Sequence, residues 1–154
     1  MDAVILISIH PEHFQNIASG KKVFEYRKVM PAQNVSYLVI YCTMPIKKIV
    51  AIAEVVESLI DTPSKIWAVT AHGAGISKEF YFEYFSGKRK AGSFMLGNVY
   101  KLLNPIDLSC LTSCINPPQS FCYLNSNDMK HVFGEIPKQF FLKTYDDCVL
   151  PICE

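Results

Sequence analysis

The sequence predicts an α+β fold, a mixed and mainly antiparallel β-barrel with helices packed against it. Three observations carry that expectation. Apolar, β-branched runs are joined by short turns, which permits antiparallel pairing of neighbours. Their order, strand, helix, three strands, two helices, strand, lacks the strict alternation that builds a parallel doubly wound sheet. The runs are also too apolar to leave a sheet edge in water, and closure into a barrel removes edges.

Ala3 to Ile9 is an apolar run and reads as a buried first strand. Pro11 to Ser19 reads as a short helix, with Pro11 at the first position, where a missing N–H costs little, and Gly20 just past the end. Lys22 to Lys28 is the second strand, with Phe24 and Tyr26 on one face and Val23, Glu25 and Arg27 on the other. Val35 to Cys42 is the third and Lys48 to Ile60 a long, Ile- and Val-rich fourth, with turns at Pro31 and around Pro45. Thr62 before Pro63 is an N-cap signal for a helix through about Ala71 that carries Trp67, and Gly73 and Gly75 end it. Ser77 caps a helix from Lys78 to Phe85, whose Phe80, Tyr81, Tyr84 and Phe85 recur at helical spacing and read as a core stripe, with Gly87 as the stop. The basic turn Lys88-Arg89-Lys90 leads into a strand from Gly92 to Leu103, with Gly97 marking a bulge or a close backbone approach and Asn104-Pro105 closing it. Residues 106–124 read as irregular around Asn116-Pro117-Pro118-Gln119, Asn125 to Phe133 as a last short helix, and Gln139 to Tyr145 is ambiguous.

With 154 residues, half of them hydrophobic and 12% aromatic, the chain is expected to fold as one domain that needs neither metal nor disulfide staples. No stretch approaches the roughly 18 apolar residues of a membrane span, and Met1 to Ile9 lacks the basic flank and cleavage site of an export signal, so a cytoplasmic protein is expected. In that compartment the six cysteines read as free thiols, and Cys110, Cys114 and Cys122 lack a neighbouring His for a zinc site. Neither a metal nor another cofactor is called for. Charge is uneven: residues 1–105 carry twelve Lys or Arg against eight Asp or Glu, a balance of +4, whereas residues 106–154 carry three against six, a balance of −3.

The basic half holds the most informative run, Gly20 to Lys28, in which one carboxylate stands among four cations. Arg27 offers a planar fork for phosphate or a base edge, Glu25 an acceptor for an exocyclic amine, and Lys22 a point charge. Lys22 shares strand phase with Phe24 and Tyr26, so it reaches the Glu25 face only if the turn after Gly20 is irregular. His10 and His13, three apart at the start of the first helix, point the same way but lack a third metal ligand. Tyr41, beside Thr43 and Pro45, and Trp67 either stack on a base or belong to the core, with packing favoured for Trp67. Lys47-Lys48 and Lys88-Arg89-Lys90 extend a phosphate track or are solvated turns.

Taken in order, Ser8-Ile9-His10-Pro11, then Gly20 to Arg27, then Ile40-Tyr41-Cys42-Thr43-Met44-Pro45 followed by Ile49 to Glu54, resemble the ASCH domain of the PUA-like superfamily. Gly75 to Phe80, Gly97-Asn98-Val99 and Pro117 to Phe121 are similar to a prokaryotic and phage branch described as transcriptional or RNA-related regulators. The resemblance covers about residues 3–124, so residues 1–124 are taken as the domain and 125–154 as a C-terminal extension packed on it. It implies a PUA-like barrel with a cleft on one side that binds RNA or a modified nucleoside, with His10, Lys21, Lys22, Glu25, Arg27, Lys28, Tyr41 and Thr43 as candidate ligand-binding residues. It also implies an alternative: a small hydrolase of an acylated nucleoside such as N4-acetylcytidine, or a ribonuclease, with Lys22 and Glu25 catalytic. The amidohydrolase-like members use a Lys, a Thr and a Glu; Lys22 matches the first, but Glu25 stands at the Thr position, and the branch usually has Lys where this chain has His10. Those departures favour binding over amidohydrolase chemistry.

Overall fold

A computed structural model describes residues 2–137. Strand β1 (Ala3–Ile9) leads to helix α1 (Pro11–Ala18), then β2 (Phe24–Arg27), β3 (Val35–Cys42) and the long β4 (Lys48–Asp61). Helices α2 (Pro63–Thr70) and α3 (Lys78–Tyr84) follow, then β5 (Ala91–Ile106), the two-residue β6 (Cys122–Tyr123) and α4 (Ser126–Phe133). The helix starts obey the local chemistry of their sequence: the side chains of Thr62, Ser77 and Asn125 accept hydrogen bonds from the backbone N–H groups of Lys65, Phe80 and Asp128. Strand β5 runs through Asn104-Pro105 instead of stopping there; its pairing with β4 shifts register between Ile49 and Ala51, which leaves the position of the proline free of a required N–H.

The six strands form one sheet in the order β2-β5-β4-β3-β1-β6, antiparallel throughout except for the parallel pair β1 and β3. It is mixed and mainly antiparallel as expected, but it is not a closed barrel. Its terminal strands β2 and β6, four and two residues long, pair with β5 and β1 and not with one another. The sheet instead curls until its two ends face each other, and a side chain bridges the gap: an Arg27 Nη2–H from β2 donates to the Ser8 carbonyl of β1 at 2.8 Å.

Alternation along the strands divides the core. Val4, Leu6, Val39, Tyr41, Ile49 and Ile52 pack with Val132, Phe133 and Ile136 at one face. Ile5, Ile7, Ile9, Leu38, Ile40, Ala51 and Ala53 pack with Ile17 of α1 at the other. A third cluster sets Phe24, Tyr26 and Ala91 against Ile66, Tyr81 and Phe85 of α2 and α3. Trp67 joins it, its ring 4.8 Å from that of Tyr81, so packing is its role. The expectation of free thiols is corrected at one pair: Cys114 and Cys122 are disulfide-bonded, because β6 turns back beside β1 and brings them to a Cα separation of 6.4 Å, whereas Cys42 and Cys110 are free. No helix among the described residues is long and apolar enough to cross a membrane. Residues 139–145, ambiguous in sequence, lie outside the described residues.

Candidate functional site

Where the two ends of the sheet meet lies a cleft of about 200 Å³, lined by Ser8, Ile9, His10 and His13 on one side and by Lys22, Glu25, Tyr26 and Arg27 on the other, with Ile76, Phe80 and Tyr84 from the α3 region as a third wall. The Lys22 phase problem resolves as irregular backbone. Lys22 and Val23 precede the strand, their N–H groups donating to Asn16 of α1 and Gly73 after α2, both at 2.9 Å, and regular alternation starts only at Phe24. Lys22 is thereby turned into the cleft beside Glu25.

Lys22 is only 3% exposed. Its ammonium donates to the Ala74 carbonyl at 2.8 Å and lies 4.8 Å from the centre of the Tyr26 ring. Burial lowers its pKa below the ordinary lysine value; Glu25 opposes that shift and Arg27 adds to it. Gly75 closes the cradle: it has φ +66° and sits so close that a Cβ there would come within 2.5 Å of the Lys22 Cβ.

Glu25 is 8% exposed and opposes Phe94 across β5. Its Oε1 lies 3.9 Å from Arg27 Nε, inside Coulombic range but too long for a hydrogen bond. Glu25 Oε2, Arg27 Nε and His13 Nδ1 are all buried without a hydrogen-bond partner. Three unpaired polar atoms on residues lining one cleft are costly to leave so, at about 1–3 kcal/mol each, unless a ligand or water satisfies them. The Arg27 fork is not free for phosphate as the sequence suggested: besides Ser8, it donates through Nη1 to the Ser120 carbonyl at 3.5 Å, and Ser8 Oγ donates to the Pro118 carbonyl at 2.9 Å. Arg27 is therefore first a strap across the gap and second a source of positive potential.

His10 occupies the N-cap of α1 without a side-chain cap bond, its ring 6.3 Å from that of His13. His13 in turn stands 5.9 Å from the ring of Phe80. Burial, and after it the charge of Lys22, lowers the His13 pKa below 6.5, so the imidazole is neutral at pH 7 and can accept a proton.

Of the eight sequence-predicted residues the cleft thus gathers His10, Lys22, Glu25 and Arg27. Lys28 stands at its rim, its ammonium 4.6 Å from the centre of the Tyr84 ring. Lys21 is exposed and outside the lining. Tyr41 is packed in the core, 4% exposed, and Thr43 is half-buried beyond the end of β3; neither lines the cleft, because β3 is an interior strand whose side chains meet apolar layers on both faces. The carboxylates of β4 stand elsewhere: Glu54 is engaged with the Tyr100 hydroxyl and the Asn98 N–H, Glu57 is exposed, and neither lines the cleft. Sequence reasoning missed Phe80 and Tyr84 as walls and His13 as a cleft residue. The α3 aromatics form two adjacent i, i+4 rows: Tyr81 and Phe85 turn into the core, while Phe80, 49% exposed, and Tyr84 face the cleft.

The comparisons with known proteins agree with this architecture. The ASCH domain model matches residues 7–102. The chain is 31% identical over 127 residues to an ASCH domain-containing ribonuclease of Zymomonas mobilis, covering 80% of this chain and 85% of that protein. It is 34% identical over 122 residues to large ribosomal subunit protein uL22 of Ureaplasma parvum, but spans only 39% of that protein's length. In three dimensions it matches the crystal structure of ASCH from Zymomonas mobilis with a TM-score of 0.79 at 27% identity, covering 88% of this chain and 96% of that one.

Proposed function

Because the chain belongs to the ASCH domain family, we propose that its cleft binds RNA by taking one base, ordinary or modified, between Phe80 and the Lys22–Glu25–Arg27 wall. The observation that carries the reading is the set of buried, unpartnered polar atoms in an otherwise aromatic-walled cleft. Glu25 Oε2 accepts from an exocyclic amine, Arg27 Nε–H donates to a ring carbonyl, and Phe80 supplies a stacking face. At about 200 Å³ the cleft is smaller than the roughly 300–1,000 Å³ of drug-sized ligand sites, which suits a single base and leaves sugar and phosphates outside. Lys22 and Arg27 add positive potential without a free fork for the backbone. Binding without turnover suits a regulatory protein.

Titrating fluorescently labelled single-stranded RNA into the protein tests this. Phe80→Ala is expected to weaken binding by about 1–3 kcal/mol, the worth of one base stack, without lowering the melting temperature. Glu25→Gln is expected to alter which base is preferred. If both variants bind every RNA as the wild type does, the reading is wrong.

Similarity to a protein described as a ribonuclease supports a second reading, strand cleavage at the same cleft. Neutral His13 or Glu25 would take the proton from the 2′-hydroxyl as its oxygen bonds to phosphorus, the P–O5′ bond would break with the leaving oxygen taking a proton from water, and Lys22 and Arg27 would stabilise the negative charge that develops. Either Glu25→Gln or His13→Gln, whichever removes the base, should then bind RNA but not cut it; intact RNA after prolonged incubation with the wild type excludes turnover.

A further inference from the structure

Resting on the reading that the cleft holds one base of RNA, we propose that Lys28 and the turn Lys88-Arg89-Lys90 form a phosphate track that receives the adjoining nucleotides. The ligand is on this account an oligonucleotide strand. Strands β2 and β5 pair Arg27 with Gly92 at the end of their ladder. Lys28 is the next residue on one strand and Lys90 stands two before Gly92 on the other, so both chains leave the sheet together, next to Arg27. Tyr84 connects this corner to the cleft, lining it while its ring lies under the Lys28 ammonium at 4.6 Å. Gly87, with φ +75°, and the bond from Lys88 N–H to the Phe85 carbonyl at 2.9 Å fold the turn back over the end of α3.

All four cations are exposed, and among the described residues none is in an ion pair, although Glu83 is exposed on the neighbouring helix. Four unpaired like charges at one corner repel each other, and a polyanion relieves that repulsion. The corner adjoins Arg27, whose own fork is held by Ser8 and Ser120 and is not free for phosphate.

The experiment measures affinity for a labelled single-stranded RNA octamer from 50 to 200 mM salt, for the wild type and for the combined Lys88→Ala, Arg89→Ala and Lys90→Ala variant, with melting temperature as the folding control. Single strands lose about 0.7 in the slope of log affinity against log salt for each phosphate contact removed, so the variant's slope should be shallower by about 2. Equal slopes overturn the track and leave the cleft reading standing. A wild type that binds neither the octamer nor its component nucleosides overturns both. A shallower slope together with unchanged octamer affinity in Phe80→Ala supports the track and removes the cleft reading.

Discussion

At the scale of single residues, the cleft is organised around a cation the fold has gone to some length to bury. Lys22 is enclosed by the Ala74 carbonyl, the Tyr26 ring and the backbone of Gly75. Gly75→Ala should therefore cost stability twice, through a positive φ that L-residues resist and through a Cβ placed against Lys22, for a loss of about 1–3 kcal/mol in a urea melt. His13 feels the same cation. The unfolded chain protonates near the ordinary value of 6.5 while the folded chain, with His13 held lower by burial and then by Lys22, resists the proton. Stability should consequently fall as pH drops below 6.5 and level off below the folded value. Glu25 and Glu12 face His13 and oppose the shift, and His10 adds to it. His13→Gln should flatten the fall in urea midpoint between pH 7 and 5; an unaltered slope would assign it to another group. Asp128 acts in a separate window. Burial pushes its carboxyl up, but hydrogen bonds from Ser113 and Thr112 outweigh that and hold it below 3.8, so its contribution is lost only in stronger acid.

At the scale of elements, α3 shows how far a sequence can be read. Its start at Ser77 and the recurrence of its aromatics were legible, because capping chemistry and a 3.6-residue period are local properties. Which aromatic row faces the core is not local: it depends on β2 presenting Phe24 and Tyr26 to the helix, which places Tyr81 at zero exposure and leaves Phe80 half in solvent. The two rows should respond oppositely to truncation. Tyr81→Ala is expected to cost about 3–5 kcal/mol of stability, as for other large buried aromatics, and Phe80→Ala within about 0.5 kcal/mol, measured by chemical denaturation. Similar losses at both positions would mean that Phe80 is also core. Strand β2 teaches the same lesson: Glu25 and Arg27 opposite Phe24 and Tyr26 followed from alternation, whereas the entry of Lys22 into the cleft depended on Asn16 and Gly73, residues distant from the strand pattern.

At the scale of the molecule, the order of strands and helices through β5 and the mainly antiparallel character were legible, whereas β6, in a segment read as irregular, and the lack of closure were not. Whether a curled sheet seals depends on where its terminal strands come to lie, a long-range property no local pattern carries, and here β2 and β6 are not paired with each other. The disulfide was equally hidden, since composition pointed to free thiols and only the return of β6 beside β1 brings Cys114 to Cys122. It encloses the segment whose Pro118 and Ser120 carbonyls hold Ser8 and Arg27. Closing so short a loop restricts the unfolded chain by about 2.5 kcal/mol, so Cys122→Ser should be less stable than wild type by about that amount, with the gap vanishing when dithiothreitol reduces the wild type.

Arg27 spans the opening with hydrogen bonds to two carbonyls, where a sealed barrel would have a full ladder of backbone bonds. Two such bonds from a charged donor contribute about 3 kcal/mol, so the seam is held by far less than the paired edges of the sheet. If the cleft takes a base as proposed, a base larger than the resting cleft would enter only where this strap gives way. On that reading the arginine would be a latch as well as a strap.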